Sequence, residues 1–278
     1  MNALRISVVQ MNTGAEVPAN LALAERLLRN AAADGARLAV LPENFAAMGP
    51  DDTLRVALAE PDGAGPLQDF LGETAARLGM WIVGGTLPLA GADPARPYSS
   101  CLVFDDTGSR RGRYDKIHLF DVDIPDGTET YRESAATSPG DRPLRVETPW
   151  GGLAVAVCYD LRFPELFRYL ADSGFSLMAI PAAFTFATGQ AHWHSLLRAR
   201  AIENLCYVAA AAQTGAHPGG RRTFGHSMII GPWGDTLGAL EDEVGSIGAD
   251  IDFEHLRALR RRFPALRHRR WPATGPID

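Results

Sequence analysis

Short apolar runs alternate with amphipathic stretches along almost the whole sequence, and this rhythm limits the fold more than any other feature. Strand-like runs at 4–10, 37–42, 80–86 and 99–105 are interleaved with helical patterns at 19–34 and 66–79. Past the middle the rhythm returns: LAVAVC at 153–158 reads as a buried strand, 163–174 as a helix, SLMAIP as a strand and 190–204 as a helix. YVAAAAQ, SMIIGP and SIGADID read as further strands, and a last helix covers about 253–263 before Pro264 stops it. Strands separated by helices need crossover connections, so the pattern predicts an α/β fold with a largely parallel or mixed sheet covered by helices. The 278 residues, 46% of them hydrophobic, suffice for one substantial core, and no linker, repeat or composition shift divides them. A single domain over 1–278 is the expectation. One interval breaks the rhythm: 117–150, carrying Pro125, Gly127, Pro139, Gly140, Pro143 and Pro149, reads as a long ordered loop of the kind that usually has a function.

The net charge of -6 offers no general attraction to phosphate, which argues against a nucleic-acid partner. The basic stretch from Arg257 to Arg270 reads as a solvated helix face followed by a tail, from about 265, docked on the body or on a second subunit. The opening MNALRISVVQMN lacks the pattern of a secretory signal, and no apolar run approaches the roughly 18 residues of a membrane span. A cytosolic protein with no membrane partner is expected. Three cysteines do not make a disulfide framework, so each is either a small buried apolar group or a reactive thiol.

Cys158 closes an apolar strand and is followed by YDLRFPE, with Pro164 suited to the first turn of the next helix. A thiol there sits at the carboxyl edge of a sheet, near a helix N-terminus whose partial charge favours thiolate. Taken alone, a cysteine ending a strand also reads as a buried filler. Glu43 has a similar placement after RLAVLP, and a solvated loop acid is the competing reading. Lys116, in RYDKIHLFD, would by itself be a surface lysine. Amide hydrolysis by a thiol requires a nucleophile, a base for its proton, and a donor for the developing oxyanion. Cys, Glu and Lys can fill these roles without a histidine or a cofactor. His192 and His194 do not suggest a metal, because an i, i+2 pair on a helix points about 200° apart, unlike the i, i+4 spacing of zinc helices. Cys101 and Cys206, in SSCLVF and before YVAAAA, read as core residues.

LPENF around Glu43, YDKIHLFDVDIP around Lys116 and VCYDLRFPELFR around Cys158 resemble the three signature motifs of the nitrilase superfamily, the carbon–nitrogen hydrolases. The resemblance continues in order through YRES at 131–134, PAAF at 181–184, TGQAHW at 188–193, the stretch 196–215 and GHSMIIGPWGDTLG at 225–238. It implies a four-layer α-β-β-α sandwich of two six-stranded mixed sheets, commonly dimerised through helices. Carried over residue by residue, it implies Cys158 as nucleophile, Glu43 as general base and later acid, and Lys116 as stabiliser of the tetrahedral intermediate beside the backbone N–H of Tyr159. Glu133 in YRES matches a second acid beside them, and reads as a positioning group for Lys116 and the leaving nitrogen rather than an independent base, with a loop acid bonded to the backbone as the competing reading. His194 departs from the pattern, since relatives usually carry Glu directly after the His-Trp pair, which puts local polar contacts near the site in doubt.

Within the superfamily, nitrile hydrolysis, N-carbamoyl amide hydrolysis, amidase activity and lipoprotein acyl transfer share the nucleophile, and fold alone does not choose among them. Acyl transfer is disfavoured by the lack of spans. AAAQTG, RRTFGHSMIIGPWG and the C-terminal basic stretch resemble the branch that hydrolyses deaminated glutathione, with the ω-amidases acting on α-ketoglutaramate as the alternative. A small amide bearing a remote carboxylate needs a cationic anchor. Arg162 is the nearest candidate, with a structural pairing to Asp160 or Glu165 as its competing role; Arg221 and Arg222 come next. Two further readings compete with the amidase. A catalytically silent binding scaffold is disfavoured by the intact Glu43, Lys116 and Cys158, and a papain-like Cys-His hydrolase by the flanks and chain position of Cys158.

Overall fold

A computed structural model describes residues 3–51, 53–124 and 129–270. The chain opens with β1 (Ala3–Gln10), α1 (Val17–Ala33) and β2 (Leu38–Val40), followed by the short α2 (Thr53–Ala57), α3 (Pro66–Leu78), β3 (Trp81–Val83), β4 (Leu87–Leu89), β5 (Tyr98–Phe104) and β6 (Arg110–Asp115). A small ribbon of β7 (Asp121–Asp123) and β8 (Thr130–Arg132) leads into β9 (Leu144–Thr148) and β10 (Gly151–Val155). Then come α4 (Pro164–Asp172), β11 (Leu177–Ala182), α5 (Phe186–Asn204), β12 (Tyr207–Ala212), and the hairpin of β13 (Thr214–Ala216) and β14 (Arg222–Phe224). The last elements are β15 (Met228–Ile230), β16 (Thr236–Ala239), β17 (Gly245–Asp252) and α6 (Phe253–Arg262), which ends ahead of Pro264 as expected.

One sheet has the order β17-β1-β2-β3-β5-β4 with β6 added on β5, and the other runs β16-β15-β12-β11-β10-β9. Both are mixed, with parallel centres at β1-β2-β3 and at β10-β11-β12. The side-chain period of two builds the layers. Ile6, Val8, Leu38, Val40 and Val83 face the inter-sheet core with Val155, Ala179 and Ala209, while Val9, Ala39, Leu41 and Ile82 face outward beneath Leu28 of α1 and Leu71 of α3. Phe167 of α4 and Trp193 and Leu197 of α5 join the core that includes the second sheet, so the fold is a four-layer α-β-β-α sandwich in one domain.

Two expectations need correction. The first sheet has seven strands rather than six, because β6 pairs with β5 and carries the chain out to Lys116. The stretch 117–150 is not a single loop: it contains the β7–β8 ribbon, and β9 completes the edge of the second sheet by antiparallel pairing with β10. β9 escaped detection because an edge strand buries little on its outer side; only Val146 of its five residues is fully buried. Pro125 and Gly127 lie outside the described residues. The basic stretch docks on the body in part: Arg260 donates to the carbonyls of Leu205 and Phe175, and Arg269 pairs with Asp172. The tail beyond residue 270 lies outside the described residues.

Candidate active site

Glu43, Lys116 and Cys158 follow the ends of β2, β6 and β10, and the packing of the two sheets brings these ends together. Glu43 is held by contacts from segments distant in the chain. Its carbonyl accepts from Gln213 Nε2 at 2.9 Å, a contact from the other sheet, and the N–H of Asn44 donates to Thr86 Oγ1 at 2.9 Å. Asn44 has φ +56°, a left-handed conformation that Asn tolerates better than most residues. Behind it, a Cβ on Gly85 (φ +59°) would lie 2.1 Å from the Pro42 carbonyl oxygen, so only glycine allows this close approach.

The nucleophile candidate sits on a strained turn. Cys158 has φ +48°, costly for a side-chain-bearing residue unless the surroundings hold it. Asp160, fully buried two residues on, supplies that hold. Its carboxylate accepts from the Val157 N–H (2.8 Å), the Tyr114 hydroxyl (2.6 Å) and the His118 N–H (3.0 Å), with His118 Nδ1 at 2.7 Å. Arg200 of α5 adds a second tie through two donors to the Leu161 carbonyl.

Lys116 is 2% exposed and its ammonium lies 2.8 Å from Glu43 Oε1 and 2.8 Å from Glu133 Oε2. Glu133 also accepts from the Phe120 N–H at 2.7 Å, and Arg55 lies 3.8 Å away. The Cys158 thiol lies beside the Glu43 carboxylate and the backbone amide of Ala183. The charges follow from these contacts. Burial alone would raise the Glu43 pKa, but the Lys116 ammonium and the neighbouring thiol outweigh it and hold the carboxyl below its ordinary value. Burial works against the Lys116 ammonium, yet Glu133 and Glu43 keep it charged above the ordinary lysine range. For Cys158, burial and then the Glu43 carboxylate push the thiol well above its ordinary range, against the opposing pull of Lys116 and the Ala183 amide. The thiolate expected from a helix N-terminus is thus corrected: the resting site holds a thiol beside a carboxylate. The residue lies in a 3-10 turn, Cys158–Arg162, ahead of α4, and desolvation dominates.

Glu43, Lys116, Glu133, Cys158, Tyr159, Arg162 and Arg221 line one pocket of about 80 Å³, walled by the rings of Phe120, Tyr131 and Tyr159. Arg162 does not pair with Asp160 or Glu165; its guanidinium lies 3.2 Å from His192 Nδ1 and over the Tyr159 and Phe184 rings, at 5.8 and 5.4 Å. Arg222 is not brought in: it is exposed and lies 4.5 Å over the Phe186 ring. His194 also stands apart, exposed and edge-on to Phe224 and His226, so its departure from the motif leaves the pocket lining untouched. Cys101 and Cys206 are buried, and burial drives both thiols up, Cys206 to about 12. Sequence reasoning missed Arg55, on the short α2, which reaches Glu133, Thr137 and Asn44 and lines the pocket. A lone arginine in DDTLRVALAE has no local signal that would mark it. Among the described residues no cluster suited to a metal ion occurs and no helix is long and apolar enough to cross a membrane.

The carbon–nitrogen hydrolase family model matches residues 5–261. A deaminated glutathione amidase from Yersinia enterocolitica is 41% identical over 275 residues, covering 99% of this chain and 96% of the relative. An omega-amidase from Danio rerio is 36% identical over 281 residues, covering 97% and 96%. Among solved structures, the Caenorhabditis elegans NitFhit protein superimposes with a TM-score of 0.90 at 35% identity, covering 98% of this chain and 67% of that one.

Proposed function

The chain belongs to the carbon–nitrogen hydrolase family, and from that membership we propose that it hydrolyses a small carboxylate-bearing amide through a thioester on Cys158, with deaminated glutathione as substrate. The observation that carries this reading is the buried chain of contacts from the Cys158 thiol to Glu43, Lys116 and Glu133 in one arginine-lined pocket. As sulfur attacks the amide carbon, its proton passes to the Glu43 carboxylate, and the oxyanion that forms is met by the Lys116 ammonium and the Tyr159 N–H. Glu43 then gives the proton to the leaving nitrogen, the C–N bond breaks and the amine departs. A water molecule, deprotonated by Glu43, attacks the thioester; its collapse frees the carboxylic acid and returns the proton to the thiol. Glu133 positions Lys116, and Arg162 and Arg221 are the candidates for the substrate carboxylate.

The named relative supports deaminated glutathione. The ω-amidase reading, on α-ketoglutaramate, is favoured by the other relative and by the small volume of the inner pocket, about 80 Å³. Assay of the purified protein against deaminated glutathione, α-ketoglutaramate, a carbamoyl amino acid and an aliphatic nitrile tests the choice. The highest kcat/KM is expected on deaminated glutathione, and equal turnover of the nitrile or of a neutral amide would overturn the carboxylate-bearing reading.

The same proposal takes residues 1–278 as one domain with a tail from about 265, and the protein as a cytosolic homodimer. Free thiols at Cys101, Cys158 and Cys206 suit a reducing compartment. Ile202 on α5, Trp233 and Phe263 are large apolar residues at 45, 59 and 49% exposure, with Gly234 against Ile202 and the Trp233 and Phe263 rings 5.4 Å apart, and such a patch suits a subunit interface.

A further inference from the structure

The inner pocket opens into a second, larger cavity. A groove of about 590 Å³ shares Asn44, Arg55, Tyr131 and Arg221 with it and extends past Pro50 to the turn at Pro218–Gly220. The groove is built rather than incidental. Gly219, at φ +78°, lies so close to Pro50 that a Cβ would stand 2.6 Å from the Pro50 carbonyl oxygen. Buried His217 fastens the same loop, with Nδ1 2.9 Å from the Thr13 carbonyl, Nε2 2.7 Å from Thr223 Oγ1, and its N–H donating to the Arg221 carbonyl.

At the junction of the two cavities the two arginines differ. Arg55 is committed to Glu133, Asn44 and Thr137. Arg221 donates to the Ala183 carbonyl and lies over the Tyr131 ring at 5.2 Å, but it has no carboxylate partner among the described residues, and its Nε is buried with no hydrogen-bond partner there. The groove's own acids, Asp51 and Glu129, are bonded to Thr53 and Tyr131. A guanidinium that feels the Glu43 carboxylate but forms no ion pair among the described residues, at the mouth of a preformed groove, is suited to a second carboxylate.

Resting on the amidase reading above, we infer that this groove is the subsite for the amine half of the substrate and that Arg221 holds that half's carboxylate. The acyl group then occupies the inner pocket, which Arg162 lines and the groove does not share, and the leaving group is a peptide-like amine ending in a carboxylate rather than ammonia. Deaminated glutathione, whose scissile amide joins a short acid to cysteinylglycine, has this two-ended form.

The test compares three amides of one acyl group: the ammonia amide, the dipeptide amide with a free C-terminal carboxylate, and the same dipeptide with a C-terminal carboxamide. In the unmodified protein kcat/KM for the free acid should exceed that for the carboxamide about tenfold, the scale of one charge-assisted hydrogen bond. Arg221→Gln should bring that ratio to about one, mainly through KM, and Ala47→Glu, which puts an acid on the groove wall away from the inner pocket, should also lower it. Circular dichroism and thermal unfolding verify that each variant is folded, and the two variants act at separate positions. A ratio of one in the unmodified protein, or one unchanged in both folded variants, overturns the subsite. Faster hydrolysis of the ammonia amide than of either dipeptide amide also overturns it while leaving the amidase reading standing, whereas no hydrolysis of any of the three removes the amidase reading and the subsite with it.

Discussion

In the proposed reaction Cys158 rests as a thiol, because burying a sulfur anion beside the Glu43 carboxylate costs more than Lys116 and the Ala183 amide return. The working state is therefore ionised Glu43 with protonated Cys158. Glu43 is held below its ordinary value, so kcat/KM should stay level across neutral pH and fall only once pH drops below the usual glutamate range. Cys158 is pushed up, so the alkaline limb should lie above the usual thiol range. A pH–rate profile with an acid limb near neutrality would contradict this assignment. Cys158→Ala should abolish turnover, and Glu43→Gln and Lys116→Ala should each lower kcat by about a factor of 100 or more, the range for losing a proton-transfer group or an oxyanion donor. Single-turnover kinetics on folded variants measures both, and retained turnover in Cys158→Ala excludes the thioester route.

Among the elements, the turn after β10 concentrates the cost. Asp160 gathers its donors from the Val157 backbone, from Tyr114 on β6 and from His118, whose ring stacks on Phe163 at 3.7 Å. These contacts over-determine a turn that would otherwise relax the positive φ of Cys158. Asp160→Ala leaves several buried donors without an acceptor, and the expected loss is about 3 kcal/mol of stability with a fall in kcat. Urea unfolding of the variant beside the unmodified protein reads the first effect; a change below about 1 kcal/mol would show that the turn is held by packing instead. The β2 end is held differently, by the absence of a side chain at Gly85. Gly85→Ala should displace Pro42 and with it Glu43, lowering kcat while Cys158 stays reactive toward a small thiol reagent.

For the molecule as a whole, the two sheets leave most apolar surface inside, yet Ile202, Trp233 and Phe263 stay outside it near one another. Covering them with a second copy would remove apolar area from water and continue the layered packing of α5 and α6 across subunits. Ile202→Glu and Trp233→Glu should each shift the mass seen by light scattering after size exclusion from dimer toward monomer. A monomeric unmodified protein at micromolar concentration would contradict the dimer, and a dimer unaffected by both changes would move its interface elsewhere.

The alternating rhythm determined the class of fold, because whether Ile6 and Val8 face one side and Val9 the other is a local property of an extended chain. The apolar runs RLAVLP and LAVAVC likewise placed Glu43 and Cys158 at strand ends, whereas the polar segment before Lys116 left that residue reading as a surface lysine. The edge strand β9 was illegible for the same reason, since one buried residue in five leaves no period to read. Only tertiary structure decided that Arg221 enters the pocket while the adjacent Arg222 does not, and that Arg55 belongs to the site at all. It also reversed the expected state of the thiol. Ionisation and convergence depend on desolvation and on partners from distant segments, as when Gln213 of one sheet holds the Glu43 carbonyl beyond the other, and no stretch of sequence carries that information by itself.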